Sequence, residues 1–230
     1  MFLKELREEA YEANMELDRR GLVLYTFGNA SGFDRDKGLI AIKPSGVAYE
    51  DLSPANMVIV DLDNKVVDGD SRPSSDTKTH TFLYKEYPQL GGIVHTHSTY
   101  ATAWAQARKA IPCTGTTHAD YVNGDIPVTE PPSPEQVESD YELETGAQIV
   151  KTLDDKDPKE FPMILVGGHA PFTWGKDASQ AVYHAVILEE LARMAQLTQS
   201  IAGTPQPLEP YILNKHYQRK HGPKAYYGQD

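Results

Sequence analysis

A chain of 230 residues with 40% hydrophobic composition is long enough for one sizeable core and carries no compositional break, so a single domain over 1–230 is expected. A net charge of −11 repels nucleic acid and anionic membrane over most of the surface and argues against both as partners. The lone cysteine, Cys113, excludes an internal disulfide and a cysteine-based zinc cluster; it suits a reducing, cytoplasmic setting and leaves histidine and carboxylate as possible metal ligands.

Charges interrupt the opening segment every few residues, so no signal peptide is expected there, and no later stretch approaches the length of a membrane span. Leu3, Leu6, Ala10, Ala13 and Leu17 recur at helical spacing with Gly21 as a stop. The runs Leu39 to Ile42 and Met57 to Val60 lie beside turn signals and predict adjacent hairpins. A helix is predicted from Ser75 to Tyr87, ended by Pro88, then a short buried strand through Gly-Gly-Ile-Val-His-Thr-His and a helix from Thr99 to Arg108. Prolines 131, 132 and 134 mark a loop, and the acidic run Glu135 to Glu144 after it starts another helix. Phe161 to Val166 reads as a strand, Ala178 to Ile201 as the main covering helix, and the tail from about 207 as one more, basic helix.

In an extended strand alternate side chains share a face, so His95 and His97 project from one side, close enough for both imidazoles to reach one ion. A catalytic zinc site needs about three protein ligands and an open position, and His169, after an apolar strand and two glycines, is the third candidate. Asp76 is a possible fourth ligand or a base beside the metal. His80, His184 and His221 read as ordinary solvent-facing or core-edge histidines; His118 either orients a catalytic neighbour or satisfies its own hydrogen bonds. A phosphorylated substrate must find local positive potential on so acidic a chain. Three clusters offer it: Gly28-Asn29-Ala30-Ser31, Lys43-Pro44-Ser45-Gly46, and Ser74-Ser75 opening a predicted helix. Glycines admit backbone N–H groups, hydroxyls add donors, a helix start adds partial charge and Lys43 a full one.

Those motifs, in this order, resemble the class II aldolase and epimerase family: Gly28-Asn29-x-Ser31, Lys43-Pro44-Ser45-Gly46, Ser74-Ser75-Asp76-Thr77-x-x-His80 and Gly92-Ile93-Val94-His95-Thr96-His97-Ser98. Gly115 to Tyr121 and the ending Lys215 to Gly228 are similar to its epimerase branch acting on L-ribulose 5-phosphate, so the likeness covers essentially the whole chain. It implies a three-layer α/β/α domain around a mainly antiparallel (mixed) sheet. It further implies Zn2+, or Mn2+ or another divalent ion, on His95, His97 and His169, with Asp76 at or beside it. Gly28, Asn29, Lys43, Ser45, Gly46, Ser74 and Ser75 would hold the substrate phosphate. Asp120 and Tyr227 match an acid/base pair, His216 matches a further polar residue of the tail, and the family forms homotetramers with shared sites. One departure is Ala170, where the family usually has glycine after the third histidine.

The reaction implied is interconversion of L-ribulose 5-phosphate and D-xylulose 5-phosphate. The C4 hydrogen is not alpha to the C2 carbonyl, so inversion requires retro-aldol cleavage of C3–C4 to an enediolate and glycolaldehyde phosphate, rotation of the aldehyde and re-formation of the bond. Two rivals use the same scaffold: a sugar-phosphate aldolase of the fuculose or rhamnulose type, and a non-catalytic scaffold like the adducin head. Aspartate rather than glutamate at 76, and the Ala225-Tyr226-Tyr227-Gly228 ending, favour the epimerase.

Overall fold

The structure, a computed structural model, describes residues 1–227. Seven strands form one sheet: β1 (Asn29–Asp34), β2 (Leu39–Ile42), β3 (Val58–Asp61), β4 (Val66–Asp68), β5 (Gly92–His95), β6 (Met163–Leu165) and β7 (Pro171–Gly175). They lie in the order β4-β3-β2-β1-β5-β7-β6, and every strand pairing is antiparallel. The one parallel element is an isolated bridge between Val128 and Leu165.

Alternation along the strands sends apolar side chains to both faces. Ile40, Ile42, Val58, Val60 and Ile93 pack with Leu83 and Tyr84 of α2 (Thr77–Glu86) and Ile149 of α5 (Pro134–Thr152). On the other face Ala30, Ala41, Ile59 and Val94 meet Leu6, Ala10 and Leu17 of α1 (Lys4–Arg19) and the first half of α6 (Ala178–Ala202). These are the three layers expected, with the core split between them. The second half of α6 packs on α3 (Thr99–Ala107), where Trp104 Nε1 donates to Ala192 O at 3.0 Å. Glu189 of α6 also caps α3, accepting from the N–H groups of Tyr100 and Ala101 at 2.8 and 3.0 Å. That cap fixes the chain just after His97. The short α4 (Thr116–Ala119) packs against α7 (Pro210–His221), the basic helix of the tail. No helix among the described residues is long and apolar enough to cross a membrane.

Two strands depart from expectation. Gly28-Asn29-Ala30-Ser31 reads as an anion-binding cluster with no strand assigned to it, and Asn29 onward is the central strand β1, paired to both β2 and β5. Its small residues belong there because α1 lies close: a Cβ on Gly32 would stand 3.3 Å from Leu6 Cδ1. β7 begins at a proline, a position strands tolerate at their first residue. The helix predicted to start in the acidic run is α5, Pro134–Thr152, but it is interrupted by a non-helical Asp140 (φ −155°, ψ 86°).

Candidate metal centre and phosphate cleft

Antiparallel pairing gathers four strand ends at one edge of the layers: the start of β1, the ends of β2 and β5, and the start of β7. The register aligns Asn29, His95 and Phe172 in one row across three strands. Lys43 follows the end of β2, and His169 precedes β7. Gly28 makes the close turn into β1 possible, since its φ of +75° and a Cβ position 2.8 Å from Val23 Cγ1 and 3.0 Å from His95 O admit no side chain.

The three histidines meet. His95, His97 and His169 each offer a ligand atom within 4.8 Å of the others. His97 lies one residue beyond Thr96, past the end of β5, yet its Nε2 still comes 3.1 Å from His95 Nε2. Two ligand nitrogens on a tetrahedral zinc with bonds of about 2.0–2.1 Å stand roughly 3.3–3.4 Å apart, so the pair fits a divalent cation. His95 Nδ1 lies 2.9 Å from Pro171 O, a carbonyl that can only accept, which turns the Nε2 lone pair toward His97. Burial, then the neighbouring His95 and His97, hold His169 down at about 4, and burial with His95 lowers His97, so both rings are the neutral species a metal requires.

Asp76 stands outside this ligand group and lines the same cleft. It occupies the N-cap position of α2, but its carboxylate makes no cap bond; Asn29 Nδ2 donates to Asp76 Oδ2 at 2.7 Å instead. A cap worth about 1 kcal/mol is thereby exchanged for a carboxylate turned toward the cleft. Burial pushes its pKa up, but His95, His80, the Asn29 amide and His169 together bring it below the usual value.

The cleft, about 440 Å³, is lined by all the residues predicted for the phosphate and all four predicted at the metal. Two backbone N–H groups there hold the clusters to the fold and to each other. Ser45 N donates to Arg72 O and Ser74 N to Lys43 O, at 2.9 and 3.0 Å, which zips the Lys43 and Ser74 clusters together. α2 starts only at Thr77, so Ser74 and Ser75 precede rather than open it. Lys43 is buried, donates to Val47 O and Thr26 O at 2.6 and 3.3 Å, and sits 5.0 Å from the Tyr49 ring centroid. Burial lowers its pKa to about 8.

Asp120 and Tyr227 do not line this cleft within the chain. Arg219 donates to Asp120 Oδ1 and Oδ2 at 3.0 and 2.7 Å, His216 Nδ1 lies 3.1 Å from Oδ1, and Tyr227 stacks on the Arg219 guanidinium at 4.3 Å. Burial raises the Asp120 pKa, and Arg219 and His216 bring it below the usual value.

Several histidine expectations are corrected. His80 is fully buried, not solvent-facing or core-edge: its Nδ1 lies 2.7 Å from Ser31 Oγ, and Ser31 Oγ 2.8 Å from Tyr84 Oη. Burial drives its pKa to about 3, so it is a neutral support beneath Asp76. His221 is tied to the Asp120 carbonyl at 2.8 Å, while His184 is the core-edge residue expected, against Trp174 O at 2.6 Å. His118 makes no side-chain hydrogen bond to Asp120 among the described residues; a bond to the Gly124 backbone works against the burial that lowers its pKa to about 4, and its buried Nε2 has no partner there. Ala170 is fully buried and not among the residues of positive φ; the left-handed turn falls on Gly168 (φ +79°), so the departure from glycine is accommodated. Thr26, Phe27, Tyr141 and Glu142 also line the cleft and belong to no motif in the sequence. Tyr141 and Glu142 follow the break in α5, which periodicity does not disclose.

A layered antiparallel sheet with three histidines converging beside a polar cleft at its strand ends defines a class of metal-binding aldolase-type domains. Residues 8–196 match the Class II Aldolase and Adducin N-terminal domain, and the chain belongs to that family. Among its relatives, L-ribulose-5-phosphate 4-epimerase UlaF of Salmonella paratyphi B is 56% identical over 227 residues, covering 99% of this chain and 100% of that protein. UlaF of Salmonella typhi matches to the same extent. In fold the chain is similar to an L-fuculose 1-phosphate aldolase (TM-score 0.79, 24% identity, 94% of this chain and 95% of that one). It is also similar to the L-fuculose-1-phosphate aldolase of Thermus thermophilus (TM-score 0.67, 21% identity, 88% and 98%).

Proposed function

We propose that the chain is a divalent-metal-dependent epimerase interconverting L-ribulose 5-phosphate and D-xylulose 5-phosphate. The observation that carries it is the meeting of His95, His97 and His169 in a cleft whose other wall holds Lys43, Ser45, Ser74 and Ser75. The full-length likeness to a curated epimerase favours this reaction over aldol cleavage. Three imidazoles suit zinc, with Mn2+ or another divalent ion as the alternative, and such an ion when bound would supply Lewis acidity toward the ketone and adjacent hydroxyl oxygens of the sugar.

Everything else falls to the chain. Lys43 and the serine hydroxyls anchor the phosphate, so that after C3–C4 breaks, with its electron pair going to the three-carbon fragment, the aldehyde turns without leaving. The proton on O4 departs to one acid/base group and returns from another on the opposite face; Asp120 and Tyr227 are the pair assigned. Their place outside the single-chain cleft supports a homotetramer in which a neighbouring subunit completes each site. The lone cysteine and the acidic surface suit a cytoplasmic enzyme with neither nucleic acid nor membrane as partner.

Incubation of the purified protein with L-ribulose 5-phosphate tests the reading. D-xylulose 5-phosphate is expected as the product, abolished by a chelator and restored by zinc. Free glycolaldehyde phosphate as the main product would assign an aldolase instead, and protein purified without a stoichiometric divalent ion would favour the adducin-like scaffold.

A further inference from the structure

His169 is the member of the triad that comes from a separate segment of the chain, its ring 4.9 and 5.0 Å from those of His95 and His97. It sits in the turn before β7, where no sheet neighbour fixes its ring as Pro171 O fixes that of His95. Its nearest polar contact is Tyr141, whose Oη lies 3.1 Å from His169 Nδ1. We propose that Tyr141 is the positioning residue for the third metal ligand, its phenol oxygen accepting Nδ1–H of His169 and so presenting Nε2 to the ion. This rests on the metal-site reading above.

The break in α5 is built to deliver that hydroxyl. Asp140 leaves helical geometry (φ −155°, ψ 86°) immediately before Tyr141. The distortion is held from α2, where Lys78 Nζ donates to Asp140 Oδ2 at 2.6 Å and Thr79 Oγ1 to Glu142 O at 2.6 Å. From within α5, Thr145 Oγ1 donates to Tyr141 O at 2.8 Å. Gly146 lets the two helices approach, since a Cβ there would stand 3.0 Å from Phe82 Cβ. The backbone of Tyr141 is thus fixed by the helix whose N-cap residue is Asp76, and one packed pair of helices carries both the carboxylate and the phenol to the cleft.

The chemistry requires such a partner. An imidazole that gives its Nε2 lone pair to a cation keeps a proton on Nδ1, and in a partly buried site that proton needs an acceptor. Having accepted it, the Tyr141 hydroxyl can turn its own proton toward the cleft it lines. The third ligand is then coupled to whatever oxygen of the substrate occupies that space.

Zinc affinity measured by chelator competition on wild type and on Tyr141→Phe tests the assignment. The variant should bind zinc about 10–100-fold more weakly, with the thermal midpoint of the metal-free protein unchanged. Failure of wild type to bind would sink the triad itself. Wild-type binding matched by the variant to within about threefold would overturn the role of Tyr141 alone. Should the variant not fold, ¹⁵N NMR of zinc-loaded wild type decides: Nδ1 of His169 protonated supports the assignment, and Nδ1 metallated overturns it.

Discussion

At Lys43 burial and charge pull against each other, and the balance sets a pH signature. The side chain is buried along the wall of the cleft, its ammonium is held by two backbone carbonyls, and burial lowers its pKa to about 8. Below that pH it is a cation; above it, neutral. A sugar phosphate becomes a dianion above its second pKa near 6, so both partners carry full charge only between roughly 6 and 8. Since kcat/KM reports the ionisation of free enzyme and free substrate, it should fall on the alkaline side as pH rises through about 8. Lys43→Met should lower kcat/KM by about ten- to hundredfold, as expected for a lost charge-assisted hydrogen bond of about 1.5–3 kcal/mol, and should flatten that alkaline limb. A limb that persists unchanged in the variant would show that another group controls it.

Single elements show what the sequence discloses and what packing conceals. The bounds of β2 are those expected from Leu39 to Ile42, because four apolar residues between turn signals have few alternatives. α6 is legible for the same reason, through its long apolar stripe. β1 is hidden, since Asn, Ala, Ser and Gly suit a turn by composition, and only the closeness of α1 explains small residues in a central strand. The candidate metal ligands and phosphate residues are legible as motifs; Tyr141 and Glu142 are not, because the kink that aims them is fixed by long-range bonds from α2. β5 shows the same kind of hidden constraint. A Cβ at Gly92 would lie 2.4 Å from Ala178 N and Cα, backbone atoms at the start of α6 that no rotamer change can move. Gly92→Ala should therefore destabilise the protein by about 1–3 kcal/mol or more, read as a lower urea midpoint at constant m-value. Zinc affinity should fall with it, because β5 ends at His95.

Over the whole molecule the candidate catalytic groups fall into two bodies. The triad, Asp76 and the phosphate residues form one; Asp120, His216, Arg219 and Tyr227, bound to each other around the guanidinium, form the second on α4, α7 and the tail. If the second body of one subunit completes the first body of another, two inactive variants should rescue each other. His97→Ala removes a metal ligand and leaves the tail intact, whereas Tyr227→Phe keeps the metal and loses the phenol. Unfolded together in equal amounts and refolded, they would assemble at random, and about a quarter of the sites would pair a sound metal half with a sound tail. Activity should return to about a quarter of wild type, with none in either variant refolded alone. If each site were built within one chain, every site in the mixture would keep one defect and no activity would return. The mixture thus distinguishes a shared site from a self-contained one without any structure of the assembly.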